Sequence, residues 1–316
     1  MQAQGRLDGM PARLWPATPS KLGLWSDCPR AWRFSYLERR DKGRPWAHHG
    51  AGAAAHLALR EWWVAPREQR TPGAAAQALR RAWPADGFAD EAMRESLRER
   101  WAQLVAGYVE QLDPDDEPVG VERTVATTSG QLALSGRIDR LDRRPRPADV
   151  PPAAVAPDRD DELVVVDYKT GRRPLTTDDV RSSLALAIYA AAAQRTLRTP
   201  CTAVELHHLP TGDRLAWRHT PESLARHLRR AEAIGAEARA AQQAWREEGL
   251  EQAAAREGRR DGEGTVSDPG AAAEVDAVLA PAPSGRCGWC DYRRWCAEGQ
   301  GAAAAQPPWA GVVEPA

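Results

Sequence analysis

The sequence predicts a mixed α/β fold, with a central mixed sheet, a helical N-terminal elaboration and a cysteine-rich knot near the C-terminus. Three observations lead to this fold class. Apolar residues recur at helical spacing in the N-terminal part, alternation of apolar and polar residues begins at residue 119, and the run Leu163–Val166 is wholly apolar. A short run of this kind is typical of a strand that is buried on both faces of a sheet.

The helical part is expected to begin at Thr18 or Ser20, since either side chain is a suitable N-cap. The dipeptide Cys28-Pro29 should interrupt the first helix, because proline disfavours helical backbone in the residue before it. Three further helices are then predicted from apolar spacing. They cover residues 50–64, 72–84 and 88–112.

The second half of the chain is predicted to build the sheet. Residues 119–128 and 131–141 alternate around Ser129-Gly130, which indicates a hairpin. After a loop at residues 145–161, the apolar run forms the next strand. The remaining elements are a helix at 178–194, strands at 202–209 and 214–219, and a long charged helix from 221 to about 256.

The domain organisation follows from these elements. A chain of 316 residues is long enough to bury a sizeable core, and residues 18–297 are predicted to form a single domain. Its parts are a helical region (18–115), a core (116–256), a linker (257–283) and a cysteine-rich knot (284–297), between a flexible N-terminus (1–17) and a flexible tail (298–316).

Composition limits the classes of partner. The formal net charge is -1, so overall basicity gives no argument for nucleic acid, and any basic surface must be local. No apolar run approaches the roughly 20 residues that a membrane span needs. The N-terminus lacks the apolar segment of a secretory signal. We therefore expect a cytoplasmic protein without a membrane partner.

The apolar strand ends in Asp167 and Lys169, which point to the same face because side chains alternate along a strand. The only other lysines are Lys21 and Lys42, so a lysine at this strand end is notable. Phosphodiester hydrolysis uses a carboxylate that holds a divalent metal and a cation that stabilises developing charge. The same triplet also occurs as an ordinary surface salt pair, so these two residues alone do not decide the function.

Asp139 and His56 are the expected partners of this pair. Because Mg²⁺ prefers an octahedron of oxygen ligands, a second carboxylate should approach from the neighbouring strand, where Gly136 and Asp139 occur. His56 lies in an Ala-rich predicted helix and would add an imidazole ligand, which admits Mn²⁺ as well as Mg²⁺. Taken singly, Asp139 is equally a surface ion pair and His56 a structural histidine. Their order and spacing together favour a metal site.

Four cysteines form a second pattern. Cys287 and Cys290 have C-x2-C spacing, Cys296 follows after five residues, and Cys28 lies near the other end of the chain. In a reducing compartment such thiols favour a metal over disulfides, and four thiolates hold either zinc or a [4Fe–4S] cluster. A single C-x2-C pair plus two isolated cysteines favours the iron–sulfur cluster, which would join the two ends of the chain. The fifth, Cys201, is expected to be a buried small residue.

Together these motifs resemble the RecB-like branch of the PD-(D/E)XK nucleases, and in particular its AddB-like proteins with an iron–sulfur cluster. The resemblance covers about residues 18–297. In chain order, the matching residues are Pro19-Ser20, Cys28-Pro29, Gly52 to His56, Gly136 to Asp139, Asp167 to Gly171, Tyr189, and Cys287, Cys290 and Cys296. One departure is Ala185, where the family usually has glutamine.

The resemblance implies a restriction-endonuclease-like αβββαβ core and a metal-dependent deoxyribonuclease, more often an exonuclease that acts in repair or recombination. It assigns His56, Asp139, Asp167 and the Tyr168 carbonyl to Mg²⁺ or Mn²⁺, Lys169 to catalysis, and Tyr189 to the DNA. The expected partners are single-stranded DNA or DNA ends and a separate helicase, since the sequence has no phosphate-binding loop of its own.

Two other interpretations stay open. In the first, the chain is a DNA-binding or structural partner that keeps the iron–sulfur cluster but has weak or no catalysis, and Ala185 is the residue that supports it. In the second, the chain is a zinc-knuckle adaptor. That interpretation requires the acidic and lysine matches to be accidental.

Overall fold

The computed structural model describes residues 13–150, 156, 158–260 and 275–312. Its strands are β1 (Trp15–Ala17), β2 (Gly120–Ser129), β3 (Leu132–Pro145), β4 (Asp161–Lys169), β5 (Ala203–His208) and β6 (Arg214–Arg218). They form one six-stranded sheet in the order β1-β3-β4-β5-β6, with β2 paired to β3. The pairs β1·β3 and β4·β5 are parallel and the other pairs are antiparallel, so the sheet is mixed as predicted.

The helices surround this sheet. They are α1 (Pro19–Asp27), α2 (Pro29–Tyr36), α3 (Ala47–Val64), α4 (Pro72–Ala82), α5 (Glu91–Glu110), α6 (Thr177–Arg181), α7 (Leu184–Leu197), α8 (Pro221–Arg260) and α9 (Ala297–Ala302). The predicted fold class, a mixed α/β domain with a helical N-terminal part, is confirmed. Among the described residues, every helix is too short or too polar to span a bilayer.

The interruption between α1 and α2 lies where the sequence places it. Thr18 caps α1 by accepting a hydrogen bond from the Lys21 backbone N–H at 3.1 Å. Cys28 is extended, ends α1 and caps α2, and Pro29 occupies the first position of α2. Proline at that position lacks only an N–H that a helix leaves unpaired anyway, so the break costs little.

Burial of β4 on both faces explains its apolar sequence. Val164 and Val166 belong to the core cluster that includes α3, α4 and α5, while Leu163 and Val165 face α7. All four side chains are at most 2% exposed. The strand therefore lies at the centre of the molecule, and its carboxyl end is held on two sides.

The helix predicted at 178–194 and the expected flexible N-terminus differ from what the structure shows. The single helix predicted at 178–194 is two helices, because Ser182 ends α6 and the Ser183 side chain accepts from the Leu186 N–H at 3.2 Å to cap α7. Serine competes with backbone hydrogen bonds in this way. The predicted flexible N-terminus contains β1, in which Trp15 is buried. A three-residue strand is too short to produce a visible alternation.

The knot and the residues after it pack on the domain. Short 3-10 turns at Gly285–Trp289 and Arg293–Trp295 precede α9. The segment expected to be a flexible tail begins with α9, and Val312 is buried against the α3 side of the core. Residues 1–12 of the expected flexible N-terminus, 261–274 of the expected linker and 313–316 of the expected tail lie outside the described residues.

Candidate active site

Asp167 and Lys169 meet at the carboxyl end of β4. The Lys169 ammonium contacts Asp167 Oδ2, and the Asp167 side chain is only 15% exposed. Burial raises the pKa of the Asp167 carboxyl, and the charge of Asp139 raises it further, although Lys169 opposes both. The ionised form of Asp167 is thus under-compensated by the protein's own cations, which is the condition in which a carboxylate binds a metal ion.

Asp139 joins β3 to both β4 and α3. Its Oδ2 accepts a hydrogen bond from the Tyr168 N–H at 2.8 Å, and its Oδ1 lies 3.3 Å from His56 Nδ1. Burial alone would lower the pKa of His56, but the Asp139 carboxylate, helped by Asp167 and Glu122, outweighs it and raises that pKa. The imidazole is therefore oriented by a carboxylate and lies in a strongly negative environment.

Two glycines allow the elements to approach closely enough. A methyl group added at Gly52 would come within 2.9 Å of Thr170 Oγ1, so α3 reaches the end of β4 only because Gly52 has no side chain. A methyl group added at Gly136 would come within 2.3 Å of the Tyr189 ring, so the ring lies against β3 for the same reason. These contacts explain physically why glycine precedes both His56 and Asp139.

The Tyr168 side chain packs on the face of β4 opposite to the one that carries Asp167 and Lys169. Its ring meets the His56 ring edge-on, with centroids 5.8 Å apart. Its hydroxyl accepts a hydrogen bond from Trp63 Nε1 at 3.2 Å, and the guanidinium of the buried Arg140 lies 5.0 Å from the Trp63 ring. Because Tyr168 is buried, this packing fixes the position of α3 relative to the strand that carries Asp167.

Glu122, on β2, is a site residue that the sequence analysis missed. A ring nitrogen of His56 and one carboxylate oxygen from each of Glu122 and Asp139 all lie within 4.8 Å of one another. Glu122 also contacts Arg137 Nε at 2.7 Å and has a left-handed backbone, with a φ of 49°. A non-glycine residue in this conformation is strained, and such strain is concentrated at functional sites.

Glu122 could have been predicted from the pairing register of the β2–β3 hairpin. The residues on either side of Glu122 pair with the residues on either side of Asp139, so the two carboxylates lie opposite each other. Once the turn at Ser129-Gly130 is fixed, this register follows from an antiparallel ladder. The structure thus gathers His56, Asp139, Asp167, Lys169 and Tyr189, as expected, and adds Glu122. Asp167 lies beside the three-atom cluster, not within it.

The site opens into a groove with a volume of about 720 Å³. One wall is a face of α3, and the other is formed by the start of α1, by β3 and by Tyr189. Burial and the charges of Asp167 and Asp139 raise the pKa of Tyr189 to about 12, so the phenol stays neutral. The polar and charged lining of the groove includes Ser20, His49, His56, Arg60, Glu122, Asp139 and Tyr189.

Comparison with known families adds to this geometry. A family model of the PD-(D/E)XK nuclease superfamily matches residues 16–297. The chain belongs to this superfamily. A comparison with curated proteins finds no match. As a PD-(D/E)XK nuclease, the protein belongs among enzymes that hydrolyse DNA with divalent metal ions, and its cluster of His56, Glu122 and Asp139 offers imidazole and carboxylate donors of the kind such ions bind.

The chain also brings four of its cysteines, side chains of a type that can bind metals, to one place. Cys28, Cys287, Cys290 and Cys296 line one small cavity between α2 and the knot. Three of the four sulfurs accept backbone N–H groups, at 3.4 and 3.5 Å for Cys28, 3.4 Å for Cys287 and 3.3 Å for Cys296. Cys201 lies elsewhere, fully buried in the core.

The spacing of these sulfurs is wider than that of a single-ion site. Among the described residues, no three cysteine sulfurs lie within 4.8 Å of one another. Around one zinc ion, with Zn–S distances of about 2.3 Å, the sulfurs would be about 3.8 Å apart. Burial raises the pKa of Cys290, and the charges of its neighbours Cys28 and Cys287 contribute. Thiols in this arrangement become thiolates most readily when a metal centre compensates their charge.

Proposed function

We propose that the protein is a Mg²⁺- or Mn²⁺-dependent deoxyribonuclease of the RecB-like branch. It acts as an exonuclease on single-stranded DNA or DNA ends during repair or recombination, with a separate helicase supplying the strand. The observation that carries the proposal is the convergence of Lys169, three carboxylates and His56 at the carboxyl end of β4. Of these residues, His56, Glu122 and Asp139 line the open groove, and the contacting pair Asp167 and Lys169 lies next to its wall residue Thr170. Metal-assisted phosphodiester hydrolysis uses groups of these kinds to hold the cation and to offset developing charge.

The residues proposed to hold the cation are His56, Asp139, Asp167 and the main-chain carbonyl of Tyr168. Support comes from the donor set and from the raised pKa of Asp167, which marks negative charge that the protein itself leaves under-compensated. A divalent cation bound there would polarise the phosphate and lower the pKa of a bound water molecule. The Tyr168 N–H and the His56 imidazole hold Asp139 in place for this role.

Lys169 and Tyr189 are proposed to act on the substrate. The Lys169 side chain is 45% exposed and forms an ion pair with Asp167. Its ammonium is therefore placed to orient the attacking water and to offset the charge that develops on the phosphate. Tyr189 lies in the groove wall and would contact the DNA. The scissile phosphate is then positioned between a cationic side chain and the carboxylate cluster.

Glu122 is proposed as a further carboxylate of the metal centre. Replacing it by glutamine should lower both Mn²⁺ affinity and the cleavage rate by about 10- to 100-fold, the range for groups that orient or complete a metal site. Isothermal titration with Mn²⁺ and timed digestion of a labelled oligonucleotide measure the two effects. Arg137→Gln is the matched control, because it removes the ion pair but keeps the carboxylate. Unchanged Mn²⁺ affinity in Glu122→Gln would exclude Glu122 from the metal site.

The direct test of the function is digestion of end-labelled single-stranded and double-stranded DNA. We expect no cleavage in EDTA, cleavage with Mn²⁺ or Mg²⁺, and release of short products from the end of the single strand. A 5′ label and a 3′ label on otherwise identical strands give the polarity. Internal cuts in a circular single strand would replace the exonuclease by an endonuclease, and no cleavage with either metal would contradict the proposal.

A DNA-binding partner with weak catalysis is the second candidate. Ala185 favours it, since this position lies one turn before Tyr189 on α7 and lacks the glutamine of the family pattern. DNA cleavage by the native chain and by the Ala185→Gln variant distinguishes the enzyme from the binding partner. If Ala185→Gln creates cleavage that the native chain lacks, the native protein is the binding partner. If the native chain already cleaves, it is the enzyme.

The four cysteines are proposed to hold a [4Fe–4S] cluster that joins the two ends of the domain. The shared cavity and the backbone N–H groups directed at three of the sulfurs support a bound metal centre, and the single C-x2-C pair with two isolated cysteines favours a cluster over a zinc ion. Its role is structural, because Cys28 and the three other ligands are separated by most of the chain and a bound cluster would close that very long loop.

A further inference from the structure

The groove extends well beyond the metal centre. Along one face of α3, His49, Ala53, His56 and Arg60 recur at helical spacing, and His49, His56 and Arg60 line the same groove. From His48 to Arg60 the helix rises about 18 Å at 1.5 Å per residue. His56 lies between the two ends, so a strand that passes the metal centre has protein on both sides of the scissile bond.

One end of the groove carries a free cation. Arg60 is exposed and has neither a carboxylate partner nor a hydrogen-bond partner among the residues that the structure describes. The neighbouring Glu61 is already paired with Arg81. By contrast, Arg137 on the opposite wall is paired with Glu122. Arg60 is therefore the guanidinium of this groove that is available to an anion, and its fork geometry suits a phosphate.

The other end is aromatic. The His48 ring lies 4.3 Å from the His49 ring and 5.7 Å from the Trp289 ring, and Trp46 lies 5.5 Å from Trp289. Trp289 belongs to the cysteine-rich knot and is 36% exposed. Burial, and then the charge of His49, lower the pKa of His48 to about 4, so its ring is neutral at neutral pH. The His48 and Trp289 rings meet edge-on, at 80°, so they do not form one flat surface. Trp289 lies beside the groove-lining His48 and is the exposed ring of the pair, and an exposed neutral ring suits a base and not a phosphate.

We propose, on the basis of the nuclease function proposed above, that the groove binds single-stranded DNA across the metal centre in one fixed register, with a particular phosphate and a particular base held at defined positions. Arg60 binds a backbone phosphate on one side of the scissile bond, and on the other side an unpaired base stacks on the exposed Trp289 ring, beside His48. Along the helix axis these subsites lie about two and about three stacked nucleotides from His56. Gly311 lies against His48 and bounds the aromatic end of the groove.

The test is binding without cleavage. The anisotropy of a fluorescein-labelled 12-nucleotide DNA is measured without divalent metal for the full-length protein, and then for twelve versions that each carry one abasic residue. The native protein should lose affinity sharply at one or two adjacent abasic positions. Trp289→Ala should bind the intact strand about tenfold more weakly and lose this position dependence, since the ring on which the base stacks is gone.

Matched variants separate stacking from damage to the knot. Trp289→Phe keeps an aromatic ring and should keep the position dependence. Trp295→Ala removes another exposed tryptophan of the knot, one that lies between Arg40 and Arg294, and should bind like the native protein. If Trp295→Ala weakens binding as much as Trp289→Ala, or if the native protein shows no abasic position dependence, the aromatic subsite does not exist.

Arg60 is tested by salt dependence. Arg60→Ala should reduce the slope of log affinity against log salt by about 0.7, the value for one phosphate contact on a single strand. Arg195→Ala, at an exposed arginine of α7 outside the groove, should leave the slope unchanged. An unchanged slope in Arg60→Ala would overturn the phosphate subsite. Because none of these measurements needs cleavage, their failure is distinguishable from absence of nuclease activity.

Discussion

Replacing Asp167 by asparagine is expected to reduce metal-dependent DNA cleavage by at least about 1,000-fold. The exchange keeps the size of the side chain but removes a negative charge beside Lys169 and Asp139. Loss of a metal carboxylate removes both water activation and charge stabilisation, an effect of several kcal/mol, and each 1.36 kcal/mol changes the rate about tenfold. Asp139→Asn and Lys169→Ala should have effects of similar size.

Stability measurements make this prediction specific. Burial disfavours the charged form of Asp167, so Asp167→Asn should melt at the same temperature as the native protein or higher when no metal is present. Mn²⁺ should raise the melting temperature of the native protein but not that of the variant, because a ligand that binds only the folded state stabilises it. Asp142→Asn, in the same sheet but outside the groove, is the control and should keep both cleavage and the Mn²⁺ effect. Native cleavage rates in Asp167→Asn would place the active site elsewhere.

Removing one ligand of the proposed cluster is expected to destabilise the whole domain. Protein purified without oxygen should be brown and contain about four irons per chain. Cys296→Ala should lose the iron, melt at a lower temperature and become sensitive to protease at both ends, because the cluster would join α2 to the knot. Cleavage should fall as well, and added Mn²⁺ should not restore it.

Cys201→Ala is the matched control for this experiment. Cys201 is fully buried in a different core cluster, so its replacement removes a thiol without touching the cavity. The variant should keep its colour and its iron. One zinc per chain in the native protein would replace the iron–sulfur cluster by a zinc site. A Cys296→Ala protein that lacks iron but melts and resists protease like the native chain would show that the cluster does not stabilise the fold, which would favour a redox or sensing role.

Several features of this protein are determined by local sequence. The alternation of side chains along a strand places Asp167 and Lys169 on one face whatever surrounds them. A β-turn at Ser129-Gly130 fixes the antiparallel register of β2 and β3, and proline at position 29 separates two helices. These features depend on backbone geometry within a few residues, which is why the fold class and the positions of β2 to β6 along the chain are predictable from sequence.

The tertiary structure decided the rest. Strand β1 and the packing of Val312 depend on partners more than a hundred residues away in the chain. No local periodicity in the sequence predicts either of these contacts. The same holds for the contact between Trp289 of the knot and His48 of α3, which brings an exposed tryptophan beside the groove. Glu122 is an intermediate case, since the hairpin register puts it opposite Asp139, but only the approach of α3 brings His56 to both. Contacts of this kind arise from packing between elements, and the sequence of one element does not specify which neighbour it will meet.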